Sequence, residues 1–139
     1  MQDVRAANAA FYRAFETQDL EAMGRVWKQS EDIRCSHPGE PPIKGWESVR
    51  ESWRRIFQST DLFRVRVGDF HVRESETLAV VVCVEHITAV ANGEAMEGSV
   101  AATNIFERVD GAWRLVHHQG SGLSVRSTTA GMPTSSSVN

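Results

Sequence analysis

The amino-acid sequence predicts an α+β fold, with three helices in the N-terminal half and a bent antiparallel sheet after them. Three observations carry this reading. Apolar residues recur at helical spacing as far as Phe57, they alternate along the chain from residue 62, and Asn92-Gly93 and Asp110-Gly111 punctuate the alternating half. A length of 139 residues allows one core and is short for two ordinary ones. With 41% apolar and 24% charged residues the composition is that of a folding globular chain, far from the polar bias of disorder.

In the first helix Val4, Ala7, Phe11, Ala14 and Phe15 share one face, and Glu16-Thr17-Gln18 ends it. Asp19 can cap a short second helix, because its carboxylate can accept from the free amides of the next turn; Leu20, Met23 and Trp27 form that helix's apolar stripe. Ile33 to Ser36 suits a short strand. The segment His37-Pro38-Gly39-Glu40-Pro41-Pro42 must be a loop, since proline fixes φ and removes backbone donors. A third helix starts near Trp46, with Trp46, Val49, Trp53, Ile56 and Phe57 on one side. In the alternating half, Phe63, Val65 and Val67 lie on one parity and Phe70 and Val72 on the other. The switch at Gly68-Asp69 predicts a β-bulge, which bends a sheet. The continuous apolar run Leu78 to Val84 suits a central strand covered on both faces. Asn-Gly and Asp-Gly tolerate the positive φ of two-residue hairpin turns, so the second half is a meander. Beyond Ser121 the chain turns to Ser, Thr, Gly and Pro with few large apolar residues, so residues 124–139 are expected to form a mobile tail after a domain over 1–123.

The strings Ala10-Phe11-Tyr12-Arg13-Ala14-Phe15, Gln18-Asp19-Leu20-Glu21-Ala22-Met23, Ser36-His37-Pro38-Gly39, Gly45-Trp46 and Asp110-Gly111-Ala112-Trp113-Arg114-Leu115-Val116-His117-His118, in this order, resemble a SnoaL-like domain of the nuclear transport factor two-like superfamily. The resemblance covers roughly residues 4 to 123. The last of these strings, continued to Gly122, is also similar to the association domain of calcium/calmodulin-dependent protein kinase II. The resemblance implies a cone-shaped curved antiparallel sheet wrapped around three N-terminal helices. It implies a pocket inside the cone, lined by the first and third helices, the loop after the first strand and the concave sheet face. The superfamily hosts isomerases, cyclases, dehydratases, transport factors and assembly hubs, so only the pocket residues can discriminate among functions.

Several classes are disfavoured. Fifteen Lys plus Arg against eighteen Asp plus Glu give a net charge of -3, which supplies no basic field for nucleic acid or anionic lipid. Cys35 and Cys83, the two cysteines, lie in apolar or strand-like segments and read as reduced, buried thiols; with no apolar leader or membrane-length apolar run, a cytoplasmic location is expected. No Gly-rich phosphate loop, Cys cluster, nucleophile elbow or HExxH motif occurs, and no cofactor is expected.

The candidate site residues are polar groups that the resemblance places at the pocket. Tyr12 on the first helix is similar in position to the phenol donor of ketosteroid isomerases, where such a group stabilises a developing enolate oxygen; a core tyrosine reaching a carbonyl or the surface reads the same way. His37 falls near the aspartate base of those enzymes and titrates near neutrality, but a loop histidine before Pro38-Gly39 can equally hold a carbonyl. His86 and Asn104 fall where the kinase association domain has pocket arginines. Neither offers a guanidinium fork, which favours a neutral ligand over an anion; a buried polar pair is the other reading. His117 and His118 must face opposite ways on a strand, and parity with Trp113 and Leu115 favours His117 for the pocket. His37, His86 and His117 have no spacing that selects a metal, and none is expected. Asp32 and Glu85 show no telling partner and read as surface or edge positions. Trp53 and Phe57 are core residues that also wall the pocket. The leading expectation is a homodimer that binds a small apolar or weakly polar neutral molecule, with Tyr12, His37 and His117 as candidate acid/base groups and Trp53, Phe57, His86 and Asn104 as ligand contacts. The alternative is an assembly module that pairs through its outer sheet face.

Overall fold

The structure, a computed structural model, describes residues 3–127 and 134–137. Helix α1 (Val4–Thr17) is capped by Asp3, whose side chain accepts from the Arg5 amide, and it ends at Gln18 in the left-handed region. The Gln18 side chain donates to the Phe57 and Thr60 carbonyls, which ties this corner to the end of the third helix. Helix α2 (Leu20–Val26) is capped by Asp19 accepting from the Ala22 amide, as the spacing predicts. Strands β1 (Arg34–Ser36) and β2 (Ile43–Lys44) flank the proline loop, and α3 (Trp46–Gln58) follows.

Strands β3 (Leu62–Glu74), β4 (Leu78–Ala91), β5 (Glu94–Val109) and β6 (Ala112–Ser127) form the antiparallel meander. Sheet order is β2-β1-β6-β5-β4-β3, with β1 parallel to β6. Asn92-Gly93 and Asp110-Gly111 each have positive φ at both residues, the requirement of the hairpin turns they occupy. The bulge expected at Gly68-Asp69 is present as a register shift between Gly68 and His71, with Asp69 also at positive φ. Two further shifts, at Ser99/Val100 and at Ile105/Phe106, bend the sheet again along the β5–β6 pair. The result is the curved α+β cone, with the helices on its concave face.

Part of the tail expected over 124–139 lies outside the described residues. Of the remainder, Ser124 to Ser127 continue β6, and β7 (Thr134–Ser137) pairs antiparallel with them.

Alternation on β4 separates the faces. Ala79, Val81, Cys83 and Glu85 are buried against the helices, whereas Val80, Val82 and Val84 face outward. The apolar run 78–84 is therefore not covered on both sides as expected, since Val82 is 39% exposed. Its continuity reflects an apolar outer face that this single chain leaves open.

The core centres on Phe11. Its ring meets Tyr12 at 4.8 Å, His118 at 5.0 Å and Trp53 at 5.8 Å, and Phe15 bridges Trp53 and Phe63 at 5.0 Å each. Edge-to-face contacts dominate this cluster, the geometry that aromatic quadrupoles favour. Both cysteines are buried and unbridged.

Candidate functional site

A chain of buried polar groups crosses the core from β6 to β4. His118 Nδ1 lies 2.5 Å from Asn104 Oδ1. The Asn104 amide nitrogen donates to Asn8 Oδ1 at 2.9 Å and to the Tyr12 hydroxyl oxygen at 3.0 Å. Tyr12 in turn donates to Glu85 Oε2 at 2.6 Å, with Cys83 Sγ 3.4 Å from the same hydroxyl. The Asn104 oxygen can only accept, which fixes the His118 proton on Nδ1 and leaves Nε2 as the lone-pair nitrogen. Every link has a defined direction, and it ends on a carboxylate.

Glu85 is 2% exposed. Burial pushes its carboxyl up from 4.5 to about 7, against the opposing pull of the Tyr12 hydrogen bond. The same burial, with the neighbouring carboxylate, raises the Tyr12 phenol far above its ordinary value, so it stays protonated. His118 is pushed down to about 3 by burial and by His37 and His117, and is a neutral imidazole.

His37 forms a second buried group. Its Nε2 lies 2.9 Å from Ser52 Oγ, and the Ser52 hydroxyl is itself donated to the Val49 carbonyl. His37 therefore carries its proton on Nε2, with Cys35 Sγ at 3.8 Å from the same atom. Desolvation holds its pKa below the usual histidine value, despite the opposing charge of Glu40. Trp53 links the two imidazoles, 4.9 Å from the His37 ring and 6.2 Å from that of His118. Trp53 is 1% exposed, and its indole N–H has no hydrogen-bond partner among the described residues. Phe57 packs on the other side of Trp53 at 5.7 Å.

Of the residues singled out from sequence, Tyr12, Asn104, His37, Trp53 and Phe57 thus converge on the interior. His117 and His86 do not. The Ile105/Phe106 shift opposes Leu115 to Phe106 and His117 to Ile105, so Val116 is an extra residue that reverses parity. His118, not His117, joins Leu115 on the inner face. His86 follows Glu85 on β4 and faces outward, where its Nδ1 meets Ser99 Oγ at 3.2 Å. Glu85, which the sequence suggests is a surface or edge position, is instead buried. It continues the parity of Ala79, Val81 and Cys83, and that continuation was the available signal of a buried acid.

Surface clefts lie elsewhere. One of about 360 Å³ runs between α1, α2 and β6 around Ala10, Ala22 and Trp113. Another, of about 500 Å³, lies beside Trp27 and Lys28. A third, about 790 Å³, includes His86, Arg64 and Arg66. None of these clefts is lined by Tyr12, Trp53, Glu85 or His118, which lie buried in and beside the aromatic cluster. No group of three or more metal-ligating side chains occurs among the described residues. No helix among them is long and apolar enough to cross a membrane.

Curved sheet, three helices and interior polar chain define the class as a nuclear transport factor two-like α+β cone. The family profile of the SnoaL-like domain matches residues 4–125, and the chain belongs to that family. Among solved structures, a candidate dehydratase of the NTF2-like family from Streptomyces avermitilis is 31% identical, with a TM-score of 0.80 over 86% of this chain and 93% of that one. A candidate calcium/calmodulin-dependent protein kinase type II association domain from Thiobacillus denitrificans is also 31% identical, with a TM-score of 0.77 over 86% and 94%. The F-box protein SKIP8 of Arabidopsis thaliana is 28% identical over 120 residues, which are 86% of this chain and 49% of that protein. The chain thus spans about half the length of that curated relative.

Proposed function

We propose that this protein admits a small, neutral, largely apolar molecule into the cone by parting the interior aromatic side chains, and moves a proton on it, with Glu85 as the group that takes and returns the proton. The observation that carries this reading is the Tyr12–Glu85 pair, a buried carboxyl held near neutrality by its surroundings and oriented by a phenol 2.6 Å away. An acid/base group works best when its pKa lies near the working pH, and burial achieves this here. A ligand C–H next to a carbonyl would lose its proton to Glu85, the electron pair moving onto the carbonyl oxygen. The developing charge needs a donor, and Trp53 Nε1 is a buried N–H not committed elsewhere. Tyr12 positions Glu85, because its one proton is already donated to the carboxylate. His118 and His37 are both neutral, and among the described residues no fixed cation lines the polar chain, which supports a neutral ligand over an anion. His37 Nδ1 has no hydrogen-bond partner among the described residues, which makes it a second candidate proton acceptor. The two free, buried cysteines fit a cytoplasmic setting.

The test is exchange of solvent deuterium into the α-carbon of a panel of cyclic ketones and hydroxyketones, followed by NMR. The wild type is expected to label at least one of them, Glu85→Gln to lose the labelling, and Tyr12→Phe to lower its rate. Native mass spectrometry of the freshly purified protein complements it by reporting any retained ligand. No labelling by the wild type with any member, or labelling undiminished in Glu85→Gln, would refute the assignment.

A second reading, an assembly module, is favoured by the outward valines Val80, Val82 and Val84, of which Val82 is exposed, and by the 31% identity to a candidate association domain. On this reading two copies pair through that face as a homodimer. Val82→Glu is expected to yield a monomer in analytical ultracentrifugation while leaving deuterium labelling intact; an unchanged sedimentation coefficient would remove the valine row from the interface.

A further inference from the structure

The outer sheet face carries a cluster of cations that the interior reading does not use. Cross-strand registers put Arg66, His86 and Ser99 in one row across β3, β4 and β5, and Arg64, Thr88 and Glu97 in the next. Arg64 and Arg66 project from the same side of β3, about 7 Å apart along the strand. Both rows line the cleft of about 790 Å³, a volume in the range of small-molecule sites. The acids bordering it are already engaged. Glu97 pairs with Arg126 at 2.9 Å, and Glu16 accepts from the Val65 amide at 2.9 Å. Neither Arg64 nor Arg66 has a carboxylate partner among the described residues.

His86 completes the arrangement. Ser99 engages its Nδ1, and its Nε2 lies 3.4 Å from where a Cβ on Gly68 would stand, so the glycine leaves the ring's outer edge uncrowded. Two guanidinium groups carried on one strand, beside an imidazole oriented by a hydroxyl, form a polar cradle in a chain whose net charge is -3. The planar forks of arginine match the oxygens of phosphates and carboxylates.

We propose that this cleft is a second binding site, for a small molecule bearing a doubly charged oxyanion, either a phosphate or a pair of carboxylates. It is separate from the interior chain, because His86 and Glu85 are neighbours on one strand and face opposite sides of the sheet. The site holds irrespective of whether the interior performs proton transfer.

The experiment is titration of the full-length, isotopically labelled protein with inorganic phosphate and, separately, with succinate, following backbone amide shifts, with chloride at matched ionic strength as control. The expected result is saturable shifts confined to the amides of residues 64–66, 86–88 and 97–99. Arg66→Gln is expected to weaken binding about tenfold, as for loss of one charge-assisted contact. The double variant Arg64→Gln/Arg66→Gln is expected to abolish saturation. Arg73→Gln, on the same strand but outside the cleft, is expected to leave it unchanged. Saturation by phosphate alone assigns a phosphate headgroup, and by succinate alone a dicarboxylate. Shifts that match those with chloride, that never saturate, or that persist in the double variant would overturn the site.

Discussion

Replacing Glu85 by glutamine tests the charge state on which the proposed proton transfer depends. Glutamine keeps the side-chain size and an oxygen to accept from Tyr12, and it removes the titrating proton. The Glu85 carboxyl rises from 4.5 to about 7 on folding, so between those values the folded protein holds a proton that the unfolded chain has released. The stability contributed by that proton is fully present below 4.5 and is lost as pH rises through 7, where the carboxylate must sit ionised in an apolar site. The interval of roughly two and a half pH units is worth about 3 kcal/mol. His118 has the opposite sign. Its pKa falls from 6.5 to about 3, so its contribution is present above 6.5 and is lost as pH drops towards 3. His37, depressed for the same reason, adds to that slope. Over the interval from 4.5 to 6.5 the Glu85 and His118 slopes cancel in the wild type. Urea denaturation across this range and up to about pH 8 is therefore expected to show the two proteins equal at the acid end. Glu85→Gln is expected to be more stable by about 3 kcal/mol above neutrality. The variant should also display the His118 slope, about 1.4 kcal/mol per pH unit, that Glu85 offsets in the wild type. A constant offset between the two proteins at every pH would refute the buried, neutral-poised carboxyl.

Asn104→Leu fills the same space but leaves His118, Asn8 and Tyr12 with three broken hydrogen bonds in a fully buried setting; a loss of about 2–4 kcal/mol is expected in chemical denaturation. Gly120→Ala would put a Cβ 2.9 Å from Val100 Cγ1 and 3.2 Å from Pro38 Cγ, and the overpacking should cost about 1–3 kcal/mol, read as a lowered thermal midpoint. Asp19→Ala removes the 3.0 Å cap on the Ala22 amide and should cost about 1 kcal/mol, checked by urea denaturation.

The elements were legible because each has a local cause. Asp19 caps a helix wherever a free first turn follows it, Gly68-Asp69 switches parity within its own strand, and Asn92-Gly93 can take the two positive φ values that a tight hairpin demands. The site was legible only where the chain order already placed residues on the inner face, as for Tyr12, Asn104 and Trp53. His117 was misdirected by the Val116 bulge, an insertion that leaves no mark in the apolar pattern because Leu115 and Val116 are both apolar. His86 has the position of a pocket residue in the kinase association domain, but its parity is opposite to that of buried Glu85 and sets it on the outer face. The Tyr12–Glu85 pair joins residues 73 positions apart, and no local spacing encodes such a contact.

The interior arrangement is difficult to explain as a device for stability. A valine at position 85 would extend the apolar parity of Val81 and Cys83 and avoid the desolvation of a carboxylate, and isolated buried charges cost more than they contribute. The polar groups around it lower that cost without removing it, since the carboxyl still rises to about 7. His118, Asn104 and Asn8 hold the Tyr12 oxygen in place, and Tyr12 holds Glu85, so four side chains from three elements fix one carboxyl oxygen. A network that surrenders stability to orient a single titrating atom is what proton transfer requires, because a base is useful only if it is both poised near neutrality and aimed. Glu85→Val separates the two purposes. If the network exists to aim a proton acceptor, this substitution should stabilise the fold at alkaline pH and abolish deuterium labelling together. If it exists to hold the fold, stability should fall.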